Sequence, residues 1–97
     1  MTSVNGSVRT RHAARYIEQL CKHWAYKLDV ELSGTTGVVH FPAGTATMSD
    51  EGGKLVVTIQ AQDAAAVEPL MEVVASHLNR FAFREAPPMF EWSPVKG

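Results

Sequence analysis

Ninety-seven residues, 45% apolar and 20% charged, give an ordinary globular composition with room for one core, so a single domain over 1–97 is expected. No run of about 18 apolar residues occurs, which excludes a membrane-spanning helix, and the first residues lack the basic-then-apolar pattern of a secretory signal. A net charge of −1 disfavours nucleic acid or anionic lipid as a partner, and the single Cys21, unable to close an internal disulfide, fits a reducing, cytoplasmic setting.

Val4 to Arg9 reads as a first strand running into Thr10, whose hydroxyl is placed to cap a helix over 11–28. At about 100° per residue, Ala13, Ala14, Ile17, Leu20, Cys21, Trp24 and Leu28 share one apolar arc. Arg11, His12, Arg15, Glu18, Gln19, Lys22 and His23 fill the other, with Tyr16 and Lys27 on the border. Asp29 to Ser33 alternates as a half-buried strand does, Gly34 to Gly37 is a turn, and Val38 to Phe41 is the next strand. Pro42-Ala43-Gly44 turns into a weaker strand over Thr45 to Ser49. Asp50-Glu51-Gly52-Gly53 turns again into Lys54 to Ala61, the best strand in the chain. Short turns between successive strands imply an antiparallel meander.

Asp63 caps a second helix whose apolar stripe is Val67, Leu70, Met71, Val74, Leu78 and Phe81. Pro69 removes one backbone bond and crowds the preceding turn, so the regular helix is expected to begin near Glu68. Pro87-Pro88 ends an irregular link, and Met89 to Ser93 adds a last strand bearing Phe90 and Trp92. The order β-α-β-β-β-β-α-β makes a two-layer α+β sandwich, a mainly antiparallel sheet with two helices on one face. If Val39, Phe41, Leu55 and Val57 point inward, the open face carries Val38, His40 and Val56, which invites a homodimer.

The chain is similar to an uncharacterised bacterial family, domain of unknown function 2218, over nearly its whole length. The resemblance is carried by Ala14-Arg15-Tyr16, Gln19 to Lys27, the Phe41-Pro42-Ala43-Gly44 turn, His77 to Arg84, and Trp92. Tyr26 stands where relatives often have a histidine. The resemblance implies helices on one face of an antiparallel sheet, as in half of a TATA-binding-protein-like domain. It also implies an association with bacterial iron and siderophore uptake, and no established activity.

Charge is uneven along the chain. Arg9, Arg11, Arg15, Lys22 and Lys27 face only Glu18 within residues 1–27, about +4, which leaves about −5 to the rest. A solvated helix face gives the same pattern, but guanidinium and ammonium groups in a row also match carboxylates and phosphates. No glycine-rich phosphate loop and no cofactor motif accompany them. His23 and His77 sit at the rims of the two helices and meet if the helices pack side by side; with a carboxylate such a pair suits a metal. No CxxC or HExxH pattern supports a structural zinc, and Cys21 and His23 lie about 160° apart around the helix, which removes a Cys–His dyad. The leading expectation is therefore a non-enzymatic binding or accessory module for an anionic small molecule or an acidic partner. Its candidate residues are Arg15, Tyr16, Lys22, His23, Lys27, His77 and Arg80. The alternative is a small metal-dependent enzyme built on His23 and His77.

Overall fold

A computed structural model of the protein describes residues 2–81 and 91–95. The elements run β1 (Thr2–Arg9), α1 (Ala13–Trp24), β2 (Asp29–Ser33), β3 (Thr36–Phe41), β4 (Gly44–Asp50), β5 (Lys54–Ala61), α2 (Ala64–Phe81) and β6 (Glu91–Val95), in the predicted order. All six strands form one antiparallel sheet, ordered β2-β3-β4-β5-β1-β6. The meander from β2 to β5 follows from its turns. Gly34 (φ +59) sets the β2–β3 hairpin, and Gly52 (φ +69) and Gly53 (φ +96) set the β4–β5 turn, conformations open mainly to glycine.

The register sorts the side chains onto two faces. One row on the helix side is Val30, Val39, Ala46, Ile59 and Val4; the next is Leu32, Gly37, Met48, Val57, Gly6 and Trp92. Against them α1 buries Ala13, Tyr16, Ile17, Leu20, Cys21 and Trp24, and α2 buries Val67, Leu70, Val74 and Leu78. Each fully buried Leu, Ile, Val or Met side chain contributes about 1.5–3 kcal/mol. The opposite face is rich in hydroxyls and amides: Ser3, Asn5, Ser7, Thr36, Thr45, Thr47, Ser49, Thr58 and Gln60. Val38 and Val56 are the apolar side chains described there.

Several boundaries differ from the sequence reading, each for a physical reason. β1 begins at Thr2 and β3 at Thr36, so the Gly34–Gly37 turn shrinks to Gly34-Thr35 and Gly37 becomes a buried strand residue. A methyl group on Gly37 would lie 2.6 Å from Cys21 Sγ and 3.0 Å from Ile17 Cγ2; the glycine is the seat on which α1 rests. Gly6 does the same under Trp92, whose ring atoms would come within 2.5 Å of a methyl there.

The first helix is shorter than 11–28. Thr10 does not cap it: the Thr10 hydroxyl accepts from the His12 amide at 3.0 Å, a local turn, and the Thr10 amide extends the sheet to the Gly53 carbonyl at 3.1 Å. Those bonds hold Arg11 and His12 in a turn, and His12 is the N-cap residue. Ala14 is exposed while Tyr16 is buried, so the buried arc is rotated toward Tyr16. In the second helix Asp63 does cap, accepting from the Ala66 amide at 2.9 Å. The helix is nonetheless continuous from Ala64 through Pro69, against the expected start near Glu68. Pro69 lies on the exposed side, so its ring displaces no core side chain and the one carbonyl it deprives, of Ala65, belongs to an exposed residue. The last strand is described over Glu91–Val95, two residues past the expected end at Ser93; Pro87, Pro88, Met89, Phe90 and the Phe81 side chain lie outside what the structure describes.

Two tests follow from the seat of α1. Gly37→Ala should destabilise the domain by about 1–3 kcal/mol through overpacking, and Gly37→Ala combined with Cys21→Ala should cost less than the two changes summed. Urea unfolding measures both; strict additivity would show that the methyl and the thiol do not compete for one space. Burial pushes the Cys21 thiol above its ordinary range. The neutral thiol's contribution is therefore full below the unfolded thiol's value, about pH 8.5, and is lost as pH rises through the folded one. The stability gap between wild type and Cys21→Ala should narrow as pH rises above about 8.5, the unfolded thiol's value. A constant gap would mean that the thiol titrates as it does in the unfolded chain.

Candidate functional site

The C-terminal end of α1 shapes an apolar hollow among the described residues. The Lys27 and Leu28 amides both donate to the Trp24 carbonyl, at 3.1 and 2.9 Å, closing the helix into a turn over 25–27. That turn brings Leu28 back against the core and leaves Tyr26 and Lys27 outside. Basic side chains in the last turn, Lys22 and His23, suit the negative end of the helix dipole.

Across from this end stands α2. The His23 and His77 ring centres are 5.1 Å apart and tilted by 51°, so the two histidines do converge. His77 is also 5.3 Å from the Trp24 ring at 45°, and Trp24 meets Phe41 of β3 edge-on at 5.2 Å. His77 Nδ1 lies 2.7 Å from the Val73 carbonyl one turn back; as the donor in that bond it leaves Nε2 as the nitrogen that accepts a proton or binds a ligand. Together His23, Trp24, Tyr26, Lys27, Leu28 and His77 line a hollow of about 580 Å³. Its lining is largely aromatic and aliphatic, and the polar groups its residues carry include two imidazoles, the Trp24 indole N–H, the Lys27 ammonium and the Tyr26 hydroxyl.

The other candidates are placed elsewhere. Arg15 and Lys22 lie on the exposed outer face of α1, and Lys22 donates to the Glu18 carboxylate at 2.9 Å. That hydrogen bond, and then the Lys22 charge, holds the Glu18 carboxyl below its ordinary value. Tyr16 is buried, its ring 6.1 Å from His12 in an edge contact. Arg80 is exposed, three residues past His77 on α2. Of the sequence candidates, then, His23, Lys27 and His77 share one hollow, while Trp24, Tyr26 and Leu28 complete it without having been singled out. Their signal was Trp24 and Leu28 at i and i+4 on one apolar stripe, directly flanking the polar pair Tyr26-Lys27.

A second hollow, of about 490 Å³, opens at the start of α2 between His40, Thr45, Gln60 and Asp63. The Asp63 carboxylate is already committed there as the helix cap, and its charge disfavours an anion. Among the described residues no group of three or more His, Cys, Asp or Glu side chains gathers as a metal cage would require. None of the described helices is long and apolar enough to cross a membrane.

Comparison with known proteins places the chain. The family described as an uncharacterised protein conserved in bacteria, domain of unknown function 2218, matches residues 5–93. The chain belongs to this family. The match spans β1 to β6 and takes in all six residues that line the hollow. Among solved structures the chain is similar to the NMR structure of PA4090 from Pseudomonas aeruginosa, at 30% identity and a TM-score of 0.83, with 100% of each chain covered. No curated protein matches. The family establishes a bacterial α+β domain and brings no activity with it, so function has to be argued from the hollow itself.

Proposed function

We propose that this member of the family is a binding or accessory module that takes a small anionic ligand, a carboxylate foremost, in the hollow between the end of α1 and α2. The observation that carries the reading is the convergence of His23 and His77, 5.1 Å apart, beside Lys27 and over the apolar floor of Trp24 and Leu28. Lys27 supplies a full positive charge, and an imidazole carrying both protons adds a directional N–H donor from Nε2, the groups that recognise a carboxylate. The floor keeps water from one side of the ligand, which strengthens those bonds relative to an open surface. Arg15 and Lys22, out on the helix face, add to the local potential that draws an anion in, although Lys22 shares its charge with Glu18. Arg80 extends the same positive character past His77 along α2.

The metal-dependent reading rests on one specific measure. With metal–nitrogen bonds of about 2.0 Å, two imidazoles on one tetrahedral ion have ring centres about 5 Å apart, close to what His23 and His77 show. The ion's remaining positions would be filled by water or substrate.

A thermal-shift series separates these readings. The probes are benzoate, citrate, inorganic phosphate and ferric citrate, the last because the family resemblance points toward iron, with zinc chloride and EDTA as the metal arm. A carboxylate at about 100 times its dissociation constant should stabilise the fold by about 2.7 kcal/mol, a rise of roughly 10–20 °C. His23→Ala and Lys27→Ala should each abolish that rise, and Arg15→Ala should keep it. A rise with zinc alone, lost in His77→Ala, would favour the metal reading. A carboxylate response lost in Arg15→Ala but kept in Lys27→Ala would move the site to the outer face of α1 and to an acidic partner.

A further inference from the structure

Tyr26 has a placement that folding does not explain. Its side chain is 92% exposed, the most exposed large apolar group on the described surface, and it stands on the rim of the hollow. A lone exposed tyrosine is ordinary. This one lines a hollow that also holds the rings of Trp24 and His77, 5.3 Å apart. The turn beneath it is fixed by the Lys27 and Leu28 amide bonds to the Trp24 carbonyl, so the tyrosine changes position by side-chain rotation alone.

We infer that the hollow selects a flat aromatic carboxylate, with Tyr26 closing over the ring from the rim, the Trp24–His77 wall behind it, and Lys27 meeting the carboxylate. This deepens the reading of the hollow as an anion site and rests on it. The two requirements come from adjacent residues. Lys27 puts one ammonium at the mouth, enough for a single carboxylate, and Tyr26 puts a ring beside it. A flat ligand ring between tyrosine and wall is stacked or met edge-on from both sides, the arrangement aromatic quadrupoles favour. A saturated ring of the same size has no quadrupole to match. A volume of about 580 Å³ admits one or two fused rings.

Isothermal titration of the full chain tests this with benzoate and 1-naphthoate against cyclohexanecarboxylate and acetate. Benzoate should bind about threefold to tenfold tighter than cyclohexanecarboxylate, the gain that aromatic contact gives beyond area. Tyr26→Ala should reduce benzoate affinity by that factor and leave cyclohexanecarboxylate unchanged, while Tyr26→Phe keeps the preference. So exposed a side chain carries no folding role, and the variants compare like with like. Equal affinity for the two ring acids in the wild type, or a preference that survives Tyr26→Ala, would overturn the aromatic inference and leave the anion site standing. Binding of none of the four would overturn both.

Discussion

The indole of Trp24 is the contact on which the arrangement of the site depends. It is buried at the end of α1, edge-on to Phe41 of β3 and against His77 of α2, so one side chain ties both helices to the sheet. Aromatic contacts of this kind are directional as well as apolar, which fixes orientation together with distance. Because Trp24 holds His77 and its neighbour in sequence is His23, the two imidazoles are brought together by the same packing that closes the core. The hollow is thus a by-product of how the helices meet, with its floor made of residues the fold already requires.

The helices can come that close to the sheet because two glycines lie in one cross-strand row. Gly37 makes room for Cys21 and Ile17 of α1, and Gly6 makes room for the Trp92 ring beside α2. Between them Met48 and Val57 fill the centre of the row and are wholly buried. Small residues at both sides and large ones in the middle let the helix layer settle without voids. The consequence reaches the hollow: His23 sits in the last turn of a helix whose depth is set at Gly37, Lys27 on the turn that follows it, and His77 on a helix pinned by Leu70, Val74 and Leu78. Polar groups carried on rigid elements are held ready for a ligand, which reduces the ordering cost of binding.

Much of the fold was legible in the sequence because strand alternation and helical periodicity are local signals. The hairpins announced themselves by glycine pairs, and the two stripes on the helices named nearly all of the helical half of the core. What was not legible depended on tertiary contact. Gly37 reads as a turn residue, and only the approach of Cys21 reveals it as a seat. Thr10 reads as a cap, yet the sheet claims its amide and the helix starts later. Pro69 reads as a break, yet an exposed proline near a helix start interrupts little. For the site, charge and histidine content pointed to α1 and α2 but spread the candidates around both helices. Periodicity cannot say which rims of two helices touch, so Arg15 and Lys22 stood beside His23 and Lys27 until packing separated them. Tyr26 and Leu28 were hidden because their place in the hollow comes from a turn that folds the chain back.

The central claim is that an anion binds where His23, Lys27 and His77 converge, and its most direct test is a chemical-shift titration. Nitrogen- and carbon-labelled protein would be titrated with benzoate, following backbone amides and histidine ring signals. The account predicts perturbations clustered on 23–28 and around His77, saturating together with a single dissociation constant. Perturbations centred on Arg11, Arg15 and Lys22, or shifts absent from both histidine rings, would contradict it.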